Sequence, residues 1–359
     1  MKIKSFIFSM LSMLALSAGF TACSDDDNSA TSEEKIVWAG TRAFVLDEGS
    51  MGANNAGITY FDWTTDATFS KDLFLKQNKH QLGDTGQDII ADNAGNIYVI
   101  VSGSNYITKL NEEGIEQATL QIPEDLGSPR YGVLDGENLY VTCYGGYIAK
   151  INTTDMTVVN KVTVGQNPEY IIKENGCLYC TNSGWGADKR VAKVELPAFE
   201  EATFMDVMDN PDRIIAVNGH IYVQGYGADW SYPWGELKSD GTYVKVGQAS
   251  SWAAYGNTLY LAYSETPDWS TYTTTFSTYN VATGTFNESS PLKDAPTELA
   301  QKCVYSMNVN PYTGDLYITT SDFVNNGSIY HFDKEGMFVN KFESTGISPR
   351  KIIFLNEEN

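Results

Sequence analysis

Apolar residues along the chain alternate with polar ones, or stand in unbroken fours and fives, in short runs bounded by Gly, Asn, Asp or Ser. A period of two between turn residues predicts strands rather than helices. One run recurs, a turn residue followed by apolar-Tyr-apolar. It reads GNIYVIV at 95–101, ENLYVTC at 137–143, GCLYCTN at 176–182, GHIYVQG at 219–225, NTLYLAY at 257–263 and GDLYITT at 314–320. The tyrosines step by 42, 39, 43, 38 and 57 residues, and RAFVLDEG at 42–49 is a degenerate seventh copy. Strands repeating at a period of about 40 predict the four-stranded blades of a β-propeller.

A second motif precedes each copy: GQDIIAD (86–92), SPRYGVL (128–134), NPEYIIK (167–173), NPDRIIA (210–216), SSWAAYG (250–256) and KCVYSMN (302–308). A seventh, SPRKIIF (348–354), has no tyrosine strand after it, and RAFVLDEG has no such segment before it. The two leftovers complement one another. The expected fold is all-β, a seven-bladed β-propeller over residues 37–359, with the C-terminal strand joining the first blade as its innermost strand. Such closure removes free sheet edges.

In a meandering blade, the loops between strands two and three share one face with the connections between blades. The turns between strands one and two are short here, whereas the second-to-third loops are unusual: DEGSMGANNAG, SGSN, YGG, NSGWGADK, YGADWSYPW, SETPDWSTYT and SDFVNNG. Trp185, Trp230, Trp234 and Trp269 fall in three successive ones, with Tyr226, Tyr232 and Tyr272, and Trp252 begins an inner strand nearby. Aromatics massed on one side of a rigid scaffold predict a binding surface. The starts of the inner strands add Gln87, Asp88, Arg130, Tyr131, Glu169, Tyr170, Asp212, Arg213 and Arg350 around the same mouth. Propeller glycosidases use carboxylates as acid and base. Here Asp88, Glu169 and Asp212 occupy a repeated position beside arginines, which is expected to keep them ionised.

Metal chemistry is poorly supported: His80, His220 and His331 fall in different blades without a second His or a Cys nearby. No phosphate-cradling Gly loop and no GxSxG elbow occurs. The expected protein is a binder, not an enzyme, with no metal and no cofactor.

The formal charge of −21 argues against a nucleic-acid partner, since no basic stripe exists to neutralise phosphates. Lys2 and Lys4, the apolar stretch 7–20 and Thr21-Ala22 before Cys23 have the layout of a secretory leader, too short to span a bilayer. Cleavage after residue 22 would move the charge from −21 to −23. Residues 23–36 are polar and read as a flexible tether. Cys143, Cys177, Cys180 and Cys303 are expected to be buried side chains rather than bridges, because Cys177 and Cys180 point to opposite faces of one strand.

A cysteine at 23 resembles the bacterial lipobox, and the SDDD after it resembles the acidic export tag of Bacteroidetes surface lipoproteins. With RAFVLDEGSMGANNAGITYFD (42–62) and the repeated (S/N)P(R/E/D) inner strands, the whole mature domain resembles the YncE-like surface propellers of gut Bacteroidetes. The resemblance implies lipidation of Cys23 and anchoring at the outer face of the outer membrane. Its BtuG branch implies capture of vitamin B12 and related corrinoids as bound ligands, not cofactors, and delivery to a BtuB-like TonB-dependent transporter. Tryptophan and tyrosine faces would then cover the corrin, and Arg130, Arg213 or Arg350 would meet its phosphate. A glycan-binding or adhesive propeller, and a propeller lyase or glycosidase, are the alternatives.

Overall fold

The computed structural model describes residues 35–356. The chain divides after residue 36, with Val37–Asn359 as its second unit. Leader, Cys23 and nearly all of the tether lie outside the described residues.

The second unit is a β-propeller of seven antiparallel sheets, each of four strands. Blade one has the order Pro349–Asn356, Thr41–Asp47, Gly57–Asp62, Ala67–Thr68. The C-terminal strand is therefore innermost, with Phe44 opposite Ile353 and Val45 opposite Ile352, and the ring is closed as the leftover repeats require. Blades two to seven follow in chain order, each running from an inner to an outer strand.

Blades stack face to face, so their middle strands are covered on both sides and read as unbroken apolar runs. Ile97–Val101 is buried at every position. Outer strands meet solvent, and Glu116–Gln121 alternates half-buried with exposed. Apolar clusters fill the gaps between blades: Tyr98 and Ile100 of blade two pack with Leu139, Val141 and Ile151 of blade three. Of the repeat tyrosines, Tyr98, Tyr140, Tyr222 and Tyr317 are buried in this way. The seam between blades seven and one has an extra fastening. The buried His331 places Nδ1 2.9 Å from Asp66 Oδ2 and Nε2 3.4 Å from Asp315 Oδ2, with its ring stacked on Tyr317.

One element was not anticipated. The outer strand of blade one is only Ala67–Thr68, and the chain then forms a six-residue helix, Leu73–Asn78. The Asp72 side chain caps it and Leu73 and Phe74 are buried, so this turn of helix covers core that a longer outer strand would have covered.

Candidate functional site

The inner strands are not regular where the (S/N)P(R/E/D) motif sits. In six of the seven blades, the four that carry this motif among them, the register with the second strand shifts at this place, leaving residues on the inner strand without a ladder partner. Those residues are Gln87, Arg130 and Tyr131, Glu169 and Tyr170, Asp212, Tyr305 and Arg350. A bulge re-aims side chains out of the pleat, here toward the central throat. The residues ahead of two of the bulges, Asn167 and Asn210, have φ of 45° and 52°, a region asparagine tolerates better than most residues. Buried threonines in the second strands mend the ladder and hook the next blade. Thr142 accepts from the Tyr131 N–H (3.0 Å) and donates to the Glu169 carbonyl (2.6 Å), while Thr181 and Thr319 donate to the carbonyls of Asp212 and Pro349.

The released side chains form a charged and aromatic floor. Arg130 donates from Nε to Glu169 Oε2 (3.0 Å) and from Nη1 to Gln87 Oε1 (2.6 Å), and lies over the Tyr144 ring at 4.5 Å. The Tyr144 hydroxyl donates to the other Glu169 oxygen. Arg350 donates to Glu48 and to the Tyr131 hydroxyl, and Tyr305 also donates to Glu48. Tyr131 and Tyr170 stack at 3.6 Å between centroids, and Arg213 sits over Tyr170 at 5.6 Å. Three guanidinium groups thus converge on one tyrosine pair. Asp88 turns outward from this floor to Lys351 (2.6 Å).

The expectation that the arginines keep all these carboxylates in their ordinary range fails at Glu169. Burial pushes its carboxyl up and the Asp212 charge adds to the rise, outweighing Arg130. Burial also raises the hydroxyls of Tyr131, Tyr144 and Tyr305, so they remain protonated donors.

Above the floor stands an aromatic rim. Trp185, Trp230 and Trp269 are 73%, 55% and 62% exposed. Trp230 meets Trp269 edge-on at 5.8 Å and Tyr226 at 5.3 Å, with Tyr232 against Tyr226 and Tyr263. Trp230, Tyr232, Tyr263 and Trp269 line a groove of about 260 Å³. Trp185 faces Tyr144, and Phe323 faces Tyr305. Trp185, Trp230, Tyr232, Trp269 and Phe323 all have φ between 51° and 63°. Left-handed backbone costs a bulky residue about 1–2 kcal/mol, and such strain concentrates at functional sites. The loop of Trp269 is pinned regardless: Asp268 Oδ1 accepts from the Ser270 and Thr271 N–H groups, which lowers its carboxyl to about 2.

Two expected rim residues are not there. Trp234 is 0% exposed, because it is the second residue of strand Pro233–Leu237 rather than part of the loop before it. Trp252 is 7% exposed and packs in the same cluster with Trp234, Tyr222 and Leu261. Its inner strand, Ser251–Tyr255, pairs without a bulge, so its side chain stays in the space between blades. Tyr226, Tyr232, Trp185, Trp230, Trp269, Gln87, Arg130, Tyr131, Tyr170, Arg213 and Arg350 are placed on the floor or rim. Tyr272 lies in the same loop as Trp269, half-buried near Cys303, and its hydroxyl is raised to about 12 by burial.

Glu48, Tyr144, Tyr263, Tyr305 and Phe323 were missed. The first two were legible as the polar and aromatic residues opening loops already singled out, DEGSMGANNAG and YGG. His80 lies on the outer side, against Phe74 and 3.8 Å from Glu116, and His331 is the seam residue. Cys143, Cys177, Cys180 and Cys303 are unbridged. A larger cavity, about 610 Å³, opens on the opposite face beside the turn 91–95, and none of the candidate residues lines it.

No family model matches the chain, and no curated protein matches it. Solved structures do. A quinonprotein alcohol dehydrogenase-like protein from Bacteroides thetaiotaomicron is 16% identical with a TM-score of 0.61, over 87% of this chain and 77% of that one. A functionally unknown protein from Desulfotomaculum acetoxidans is 15% identical with a TM-score of 0.59, over 88% and 99%. Virginiamycin B lyase from Staphylococcus aureus is 12% identical with a TM-score of 0.56, over 76% and 92%. At such identities the likeness shows a shared fold alone: the chain is a β-propeller, similar to propellers that include one from Bacteroides.

Proposed function

We propose that this protein is a lipid-anchored cell-surface binder that captures corrinoids, cobalamin and cobinamide among them, and hands them to a TonB-dependent outer-membrane transporter without chemical change. The observation that carries the reading is the rim. Exposed tryptophans from three successive blades, each at a left-handed φ, stand on one face around a floor of arginines and tyrosines. A corrin is a broad apolar macrocycle fringed with amides, and cobalamin adds one phosphodiester in its nucleotide loop. Indole faces suit its surface: covering roughly 100 Å² of apolar area contributes about 2.5 kcal/mol. Gln87, Tyr131 and the arginines suit its amide and phosphate groups. The rigid scaffold limits the ordering cost that erodes affinity.

Calorimetric titration of the purified protein with cyanocobalamin and with cobinamide tests this. One-to-one binding of both is expected, with the ligand recovered intact by mass. Trp230→Ala is expected to weaken binding by about 30-fold, the effect of losing a central aromatic anchor. Absence of heat with either compound at micromolar protein would overturn the corrinoid reading and favour a glycan, for which the same tryptophans would stack on sugar rings.

A further inference from the structure

The three arginines of the floor are not equivalent. Arg130 is engaged through Nε and Nη1 by Glu169 and Gln87. Arg350 is engaged through both Nη atoms by Glu48 and Tyr131, with Tyr305 3.3 Å away. Arg213 makes no side-chain hydrogen bond to any described residue. Its nearest carboxylate oxygen, Asp212 Oδ2, is 3.6 Å from Nε, which leaves the two-pronged Nη edge unpaired. That side chain is 19% exposed, and its Nη edge meets the water of the throat that a ligand would displace. The Nε–H of Arg350, also buried, has no acceptor either. Arg350 lies over the Tyr131 ring at 5.5 Å and Arg213 over the Tyr170 ring at 5.6 Å, so both guanidinium groups flank the one tyrosine stack.

A planar fork of donors in a partly dry site is matched by a carboxylate or a phosphate, and a charge-assisted pair is stronger there than in water. Asp212 opposes an anion, and its Oδ2 approaches Arg213 from the Nε side. The Tyr131–Tyr170 stack walls the site and offers no negative charge at neutral pH, since burial keeps Tyr131 protonated.

We propose that Arg213, against the Tyr131–Tyr170 stack, seats a phosphodiester of the bound ligand and thereby sets a preference for phosphate-bearing over phosphate-free corrinoids. This rests on the corrinoid reading above. The two compounds of that titration differ in the required way, because cyanocobalamin carries a phosphodiester and cobinamide lacks it. Arg213→Ala is expected to weaken cyanocobalamin by about tenfold to a hundredfold, the range of a hydrogen bond to a charged group. Cobinamide binding should change by less than about threefold, within the scatter of a contact it never made. Equal losses for both ligands, or no loss for either, would overturn the assignment while leaving corrinoid capture intact. Should Arg213→Ala fail to fold, the wild-type protein decides. Inorganic phosphate at constant ionic strength should compete with cyanocobalamin and leave cobinamide unaffected, and indifference of both ligands would overturn the assignment. If neither corrinoid binds the wild-type protein, the capture reading falls and the subsite falls with it.

Discussion

Arg130 of blade three and Trp252 of blade six hold the same place in the repeat, two residues after the serines that open SPRYGVL and SSWAAYG. Arg130 lines the throat, whereas Trp252 is packed between blades. One difference lies in the second strand. Blade three has Thr142 two residues after its repeat tyrosine, and the hydroxyl receives the Tyr131 N–H that a bulge leaves without a ladder partner. Blade six has Ala262 there, with no group to receive a stray N–H, and its inner strand pairs in unbroken register. A buried N–H without an acceptor costs about 1–3 kcal/mol, so Thr142 supports the wide bulge of blade three. It is not required for every bulge, since blade two bulges at Gln87 with Ile100 in that place.

The largest effect expected from this contrast is at Trp252. If it belongs to the core, Trp252→Ala should lower unfolding free energy by about 3–5 kcal/mol, as large-to-small core changes do. Denaturant unfolding would measure it. A loss below about 1 kcal/mol, the scale of a surface substitution, would put Trp252 back at the mouth.

The bulge of blade one makes a similar contrast within two residues' reach. It releases Arg350 while burying Asp47, whose Oδ2 accepts from Thr59 (2.7 Å) and whose Oδ1 has no partner. Burial raises the Asp47 carboxyl to about 8, against the hydrogen bond from Thr59. The folded protein thus holds this proton where the unfolded chain has released it. The stabilisation is complete below about pH 4, declines between the unfolded and folded values, and is gone above about pH 8. The slope is about 1.4 kcal/mol per pH unit. Unfolding free energies at pH 5 and pH 7 should differ by about 3 kcal/mol from this group, and Asp47→Asn should remove that difference. An unchanged slope in Asp47→Asn would show that the carboxyl ionises in the fold as it does in the open chain.

The ring, its blade count and its closure were legible because each rests on a repeat: a tyrosine strand, an inner strand and two leftovers that fit together. Most of the throat was legible for the same reason, since the repeated starts of the inner strands put the polar residues around one mouth, whereas the bulges that aim them inward were not legible. What failed was local register. Trp230 and Trp234 stand four residues apart in one loop-like stretch, and nothing in YGADWSYPW says that the strand resumes at Pro233. Glu169 failed differently. Its arginine was visible in sequence, but the depth of burial that raises its carboxyl is a property of the assembled ring.

The smallest effect sharpens the contrast between buried and exposed tryptophans. Trp269 has a φ of 61° and is largely exposed, so its side chain contributes little to packing and its backbone carries left-handed strain. The loop is held by Asp268, whose hydrogen bonds to Ser270 and Thr271 do not involve the indole. Trp269→Gly should therefore raise unfolding free energy by about 1 kcal/mol, because glycine adopts this backbone without strain. The gain is reduced by the greater freedom glycine gives the unfolded chain. The same variant should bind corrinoid more weakly, having lost one wall of the groove shared with Trp230. Stability and affinity would then move in opposite directions at one residue. A Trp269→Gly protein less stable than wild type would mean that the indole packs to a purpose inside its own loop, and that the rim owes its shape to packing rather than to a ligand.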